Sequence, residues 1–368
     1  MKFSCNQQQL TKALNIAAKA VTNHTTIPVL KGFLLTAEET GILKIASSDL
    51  DLSIETKIPV SVSEPGSIVV SARLFGDIIR KLPNEEIQVE ESENNVTIKC
   101  ISSEFRIVGQ PSDEFPGIME AQETNAILLK TELLKEMIRK TSFSASIEEA
   151  KGIITGVLFE MKKDSLTLVA LDGFRMAVAK EYIGNEEEKN IVIPARILNE
   201  INKILGESSE EEFVKIILDD KKAIFILENT KIVLRLLEGD FIRYKDILPK
   251  ENQCRLKINR GEFLESIERA SLLAKEGKNN LIKLSISEDK IIITSRSEEG
   301  NVKEEVFIEK EGADLEIGFN AKYIIDVLKA VSEEELIMEF NNGVSPCLIK
   351  PMEGEAFEYL VLPVRISA

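Results

Sequence analysis

Ile68-Val69-Val70-Ser71-Ala72-Arg73 runs directly into an amphipathic stretch over residues 74–82, and the same design returns twice along the chain. Ile191-Val192-Ile193-Pro194-Ala195-Arg196 leads into residues 197–205, and Leu315-Glu316-Ile317-Gly318-Phe319-Asn320-Ala321-Lys322 leads into residues 323–331. In each case the β-branched or alternating apolar run predicts a strand, and the 3.6-residue period behind it predicts a helix. Ala72, Ala195 and Ala321 stand 123 and then 126 residues apart. Asp49, in Ser47-Ser48-Asp49-Leu50-Asp51, and Asp172, in Ala170-Leu171-Asp172-Gly173-Phe174, are also 123 apart, as are Leu10 and Leu133. A period of that length is too long for a solenoid, so the repeating unit is a whole domain.

Working outward from the strand–helix junction, each unit opens with a further helix, over residues 7–21, 131–144 and 260–275. Between the helices the chain reads as strands bounded by Gly, Asp and Pro. These cover residues 30–36, 41–47 and 52–62 in the first unit, 156–161, 165–171 and 176–180 in the second, and 281–287 and 290–295 in the third. The expectation is an α+β fold of three repeated domains, 1–122, 123–249 and 250–368, each with two helices packed on mainly antiparallel sheet.

Charge is distributed unevenly over this frame. The chain of 368 residues has a net charge of −16, which on average disfavours a polyanion. The six predicted helices nevertheless hold fifteen Lys and Arg against eight Asp and Glu. Lys12/Lys19, Arg73/Arg80, Arg196/Lys203 and Lys322/Lys329 are each seven residues apart, about two helical turns, so each pair shares a face. The opposite faces, such as Leu74/Ile78/Leu82 and Ile197/Ile201/Ile204, are apolar and suit packing on a sheet. A solvated helix often carries Lys and Arg. The same device at equivalent positions of a repeat, against an acidic background, predicts a shared basic surface suited to sequence-independent contact with duplex DNA.

Other classes lack their parts. The single histidine, His24, excludes multi-histidine metal sites, and there is no G-x-x-x-x-G-K-[ST] or G-x-G-x-x-G loop. No cofactor is expected. A hydrolase built on paired carboxylates needs two acidic residues converging in a cleft. The acidic runs at 186–188, 210–212 and 333–335 read instead as solvated turns and helix ends. Cys5, Cys100, Cys254 and Cys347 are far apart and read as buried thiols of a reducing compartment. No apolar run reaches the roughly 18–20 residues of a membrane helix, and the start Met1-Lys2-Phe3-Ser4-Cys5 lacks a signal peptide's apolar core. The expected location is the cytoplasm, with no membrane partner.

Against these features the sequence resembles the β subunit of bacterial DNA polymerase III, the sliding-clamp family. Met1-Lys2-Phe3, Ile27-Pro28-Val29-Leu30, Ser71-Ala72-Arg73, Asp172-Gly173-Phe174-Arg175-Met176-Ala177 and Tyr244-Lys245-Asp246-Ile247-Leu248-Pro249 carry the likeness. Ile317-Gly318-Phe319-Asn320 and Tyr359-Leu360-Val361-Leu362-Pro363-Val364-Arg365 complete it, in family order and over essentially the whole chain. The resemblance implies a non-catalytic processivity factor: two chains joined head-to-tail as a homodimer, a closed ring lined by helices around DNA. It further implies that the replicative polymerase, the clamp loader and repair proteins dock through short peptides.

Carried over residue by residue, the implied peptide pocket is Ile154, Leu171, Gly173, Phe174, Arg175, Met176, Ile242, Ile247, Pro346, Leu360 and Leu362. Phe174, Ile242 and Leu362 replace His, Pro and Met of other branches and keep the pocket apolar. The pair Asp172-Gly173 also reads as a tight hairpin turn. His24 falls at a DNA-contacting loop position, and Glu148-Glu149 at the rim where a less acidic loop is expected. The implied subunit interface sets Leu74, Ile78, Phe105 and Ile107 against Leu272 and Leu273 of a second copy.

Overall fold

The computed structural model describes residues 1–22, 24–119, 126–184, 188–207, 213–219, 221–227 and 229–366. The expected boundary at 122/123 and the acidic run at 210–212 lie outside the described residues, as do two positions of the run at 186–188.

Among the described residues the six α-helices are α1 (Gln7–Ala17), α2 (Ala72–Lys81), α3 (Thr131–Thr141), α4 (Ala195–Glu207), α5 (Arg260–Ala274) and α6 (Ala321–Ala330). Each begins where a strand ends, and local chemistry marks several of the switches. Asn6, Ser71, Asn259 and Asn320 hold extended or near-extended backbone, and their side chains accept hydrogen bonds from the first-turn amides of α1, α2, α5 and α6. Two helices are shorter than their periodicity suggests. The last turns expected of α1 and α3 are 3-10 turns, Ala18–Ala20 and Ser142–Ser144.

Two strand expectations are corrected in the same way. Pro28, with its φ fixed, starts a 3-10 turn over Pro28–Lys31, so the strand expected from Leu30 begins at Gly32. The strand expected over 52–62 is two strands, Leu52–Pro59 and Ser61–Glu64, placed in different sheets; it breaks after Pro59, which has no amide to donate.

Every strand pairing among the described residues is antiparallel, in sheets of five, eight, nine and four strands. Two of them cross the repeat boundaries. Leu52–Pro59 of the first repeat pairs with Thr230–Arg235 of the second, with Ile54 opposite Ile232. Arg175–Tyr182 of the second pairs with Phe357–Val361 of the third, with Met176 opposite Leu360. By contact the three repeats group into two compact units: Met1–Glu132 with Lys203–Leu236, and Leu133–Asn202 with Leu237–Ala368. The sequence period marks the repeat, whereas shared sheet decides compactness.

In the first unit Phe3, Leu10, Leu14, Phe33, Phe75 and Ile79 form the centre of the core. In the second, Phe263, Ile267, Phe319, Ile324, Leu328 and Phe340 do the same. Truncating such a buried Leu or Ile to Ala costs about 2–5 kcal/mol. Two glycines show the repeat at atomic scale. A Cβ on Gly32 would lie 2.5 Å from Val69 Cγ1, and one on Gly156 would lie 2.5 Å from Val192 Cγ1. At equivalent points of two repeats a strand passes too close to its neighbour for any side chain.

Candidate peptide pocket, basic helix faces and sheet edges

The hairpin formed by Ser165–Leu171 and Arg175–Tyr182 turns at Asp172-Gly173. Gly173 has φ +94, a left-handed conformation that favours glycine. Asp172 Oδ1 accepts the amides of Phe174 at 2.8 Å and Arg175 at 3.0 Å, so the turn is closed by its own side chain. Asp172-Gly173 is thus a tight hairpin turn, and it presents Phe174 and Arg175, two of the expected pocket residues, directly after it.

Of the predicted pocket residues, Leu171, Met176 and Leu360 are buried together in one apolar cluster, and Ile154 and Leu362 pack against it. Leu362 donates its amide to the Phe174 carbonyl at 2.9 Å, tying the C-terminal strand to the turn. Ile242 and Ile247 flank Tyr244, which is itself buried in the cluster. Phe174 is 53% exposed, Ile247 43% and Ile242 41%, so three large apolar side chains face solvent beside a buried apolar floor. Such a surface can anchor apolar peptide side chains. Pro346 lines a small recess with Pro249, Asn252 and Phe340, and meets the cluster through Leu348, which borders both.

Arg175 is buried, and each nitrogen of its guanidinium makes a hydrogen bond. Nε donates to Asp172 Oδ2 at 3.1 Å, Nη1 to Asp326 Oδ2 at 2.6 Å and Nη2 to the Phe143 carbonyl at 2.7 Å. Its charge also sits 5.2 Å from the Phe143 ring centre and 4.7 Å from that of Tyr323. Arg175 is therefore a strut that orients the wall rather than an open donor. Tyr323 in turn stacks on Phe174 with ring centres 6.3 Å apart and planes 21° from parallel. Burial, and then the charge of Asp172, push the Tyr323 hydroxyl above its ordinary pKa.

The turn bearing Ile242 and Ile247 is held from below. Tyr244 Oη donates to Glu160 Oε2 at 3.0 Å, and Lys245 Nζ lies 3.1 and 3.0 Å from the two carboxylate oxygens. Burial opposes ionisation of Glu160, but the hydrogen bonds from Lys245 and Tyr244 outweigh it and keep the carboxyl below its ordinary range. Burial, with Glu160 beside it, pushes Tyr244 up to about 12.

The sequence reading missed Tyr323, Tyr244, Glu160, Lys151 and Asp326. Lys151 Nζ lies 5.7 Å over the Phe174 ring and donates to the Asp172 carbonyl at 3.3 Å. Tyr244 stands inside a quoted motif. For Tyr323 and Asp326 no sequence signal joins them to Phe174 and Arg175, because only the fold brings α6 to the hairpin.

Arg73, Arg196 and Lys322 stand at one repeat-equivalent position and Arg80, Lys203 and Lys329 at another, all on the outer faces of their helices. Lys12, Arg73, Arg80, Arg196, Lys203, Lys322 and Lys329 are exposed, and Lys19 is half-buried. Several already pair with acids of the chain: Arg80 with Asp77 at 2.7 Å, Lys322 with Asp326 at 2.6 Å and Lys329 with Glu268 at 2.6 Å. His24 is exposed in a loop where its amide donates to Thr22 Oγ1 at 3.1 Å.

Among the expected interface residues, Leu74, Phe105 and Leu272 are exposed and Leu273 is half-buried. Ile78 and Ile107 differ from the expectation: both are buried in the core of the first unit, where α2 and the sheet need them. The exposed apolar surface there is Leu74 and Phe105, with Ile101 and Val108 at either end of the outer strand Ser103–Val108. Gly300–Phe307 is likewise an outer strand of its sheet, with Phe307 exposed.

Comparison with known proteins places the fold in one class. Residues 1–120, 128–242 and 245–365 match, in order, the N-terminal, central and C-terminal domains of the DNA polymerase III beta subunit. The chain belongs to that family, the β sliding clamps, which are non-catalytic processivity subunits of DNA polymerase III. It is 36% identical to the beta sliding clamp of Staphylococcus epidermidis over 377 residues, covering 99% of both sequences. It is also 36% identical to that of Bacillus subtilis over 379 residues, covering 99% of this chain and 100% of the relative. The crystal structure of the Bacillus subtilis DNA polymerase sliding clamp superimposes with a TM-score of 0.95 at 35% identity, covering 100% of both chains.

Proposed function

We propose that two copies of this chain close head-to-tail into a ring around duplex DNA. The ring would tether the replicative polymerase, the clamp loader and repair proteins through short peptides. The observation that carries the reading is the placement of basic residues at the same point of all three repeats, on outward helix faces of an otherwise acidic chain. Lys12, Lys19, His24, Arg73, Arg80, Arg196, Lys203, Lys322 and Lys329 are the assigned DNA-facing positions. Acidic surface elsewhere repels the polyanion and favours enclosure over adhesion. The domains are 1–122, 123–249 and 250–368.

The outer strands Ser103–Val108 and Gly300–Phe307 support closure, since an unpaired edge with exposed Phe105 or Phe307 is a liability in a lone subunit. Leu74, Phe105, Leu272 and Leu273 are the residues assigned to the contact, with Ile78 and Ile107 supporting them from the core. The pocket assignment rests on Phe174, Ile242 and Ile247 standing beside the floor made by Leu171, Met176 and Leu360. Tethering raises the effective concentration of a bound enzyme at the template, so weak peptide contacts suffice. The ring acts in the cytoplasm, where the chromosome is copied.

The deciding experiment loads the protein on nicked circular plasmid with a competent bacterial loader and ATP, then linearises the DNA. Retention on the circle in high salt, with release after the cut, is the expected result. Loss from both forms in moderate salt, while a known clamp loaded in parallel is retained, would sink the ring.

A further inference from the structure

One oxygen atom stands between the basic face of α6 and the peptide pocket. Asp326 Oδ2 accepts from Lys322 Nζ at 2.6 Å and from Arg175 Nη1 at 2.6 Å. Lys322 is exposed and lies one helical turn before Asp326, while Arg175 is buried under the pocket wall. Tyr323, between them in sequence, stacks on Phe174 and lies over the Arg175 guanidinium. A single turn of α6 therefore holds a cation offered to the DNA backbone, the ring that backs the pocket phenylalanine, and the carboxylate both cations share.

We propose that Asp326 is a positioning residue that couples occupancy of the α6 basic face by a phosphate backbone to the peptide affinity of the pocket. The inference rests on the pocket and DNA-facing assignments above. Two cations sharing one carboxylate oxygen compete for the same negative charge, and each weakens the other's hold on it. When a phosphate draws the Lys322 ammonium away, the carboxylate belongs wholly to Arg175. The guanidinium is then held more firmly against Asp172, the Phe143 carbonyl and the rings of Phe143 and Tyr323. Tyr323 keeps Phe174 in its stacked position, and the wall meets a peptide already ordered, which lowers the entropic cost of binding. By linkage the effect is reciprocal, so a filled pocket releases Lys322 toward DNA. Lys329, the other cation of the helix face, pairs with Glu268 on α5 and does not share this carboxylate.

The test measures fluorescence polarisation of a labelled pentapeptide bearing Leu and Phe, titrated with full-length wild type, Lys322→Met, Asp326→Asn and the double variant. Each is titrated with and without a short linear duplex at low salt. Lys322→Met should tighten the peptide roughly two- to five-fold, the range of an exposed ion pair. The duplex should do the same for wild type and add nothing to Lys322→Met. Asp326→Asn should weaken the peptide and abolish both responses, so the two substitutions are non-additive. A merely structural ion pair would leave the duplex response in place.

Independent, multiplying effects of the two substitutions, or a duplex response that survives Asp326→Asn, overturn the coupling while leaving the pocket intact. Absence of any peptide binding by wild type overturns the pocket assignment and the coupling with it. Lys322 is a surface residue, so its substitution keeps the fold and supplies the answer even if Asp326→Asn melts early.

Discussion

Tyr244 donates its hydroxyl to Glu160 Oε2 at 3.0 Å, and this bond ties the turn between Ile242 and Ile247 to the strand Gly156–Lys162 beneath it. Lys245 closes on the same carboxylate at 3.0 Å. Folding lowers the Glu160 carboxyl from its ordinary value of 4.5. Its contribution to stability is therefore fully present above that value and is lost as the pH falls through the folded one. Glu160→Gln should cost about 1 kcal/mol near neutrality. The gap in thermal stability between the two proteins should close as the pH drops below that ordinary value and through the lowered one of the folded protein. A gap of constant size down to acid pH would show that the charge of Glu160 contributes nothing.

Phe174 offers the cleanest separation of binding from folding. It is more than half exposed and sits on a turn closed by Asp172, so little of the core depends on its ring. Phe174→Ala should leave the melting temperature within a degree or two while weakening a Leu- and Phe-bearing peptide about ten-fold or more, as loss of an aromatic anchor does. Met176→Ala should behave differently. Its side chain is buried opposite Leu360, so it loses about 2–5 kcal/mol of stability along with the peptide. Equal losses of stability in both variants would place Phe174 in the core instead.

The helices and most strands were legible because each is a local pattern. A 3.6-residue period needs no tertiary information, whereas the caps at Ser71, Asn259 and Asn320, equally local, were not read. The breaks at Pro28 and Pro59 also follow from local chemistry. Compactness was not legible, because pairing of Ile54 with Ile232 and of Met176 with Leu360 is non-local and leaves no mark in the period. The same limit explains the site. Apolar lining residues could be carried over from a family likeness, whereas the supports of Arg175 at Phe143, Tyr323 and Asp326 are set by packing alone. Ile78 and Ile107 show the same limit from the other side, since their burial in the core of the single chain is set by packing that no local pattern records.

Removing exposed basic charges from the helix faces should alter salt dependence without altering the fold. Lys12, Arg73 and Arg196 are exposed on three different helices. Replacing all three by Gln should reduce the slope of log affinity for linear duplex against log salt by about 0.9 for each phosphate that is no longer neutralised. Circular dichroism should be unchanged, because the buried faces keep Leu10, Phe75 and Leu198. An unchanged slope would place these residues away from the DNA.

Leu272 is 65% exposed on the last turn of α5, where a lone subunit gains nothing from a leucine. Leu74, on α2, is 46% exposed and shares that status. Leu272→Asp should therefore leave the monomer's melting behaviour close to wild type, since the side chain leaves no cavity behind. In a subunit contact the same change buries an unpaired carboxylate, a cost of several kcal/mol that a heterologous interface repeats at both junctions of a closed ring. Sedimentation velocity should find a dimer for wild type and a monomer for Leu272→Asp at matched concentration, and Leu74→Asp should reproduce it. Retention on circular plasmid should be lost in both variants, while peptide binding persists, because the pocket lies within one chain. A Leu272→Asp protein that remains dimeric would move the contact elsewhere on the surface, and the exposed Phe105 and Phe307 of the outer strands would be the next residues to change.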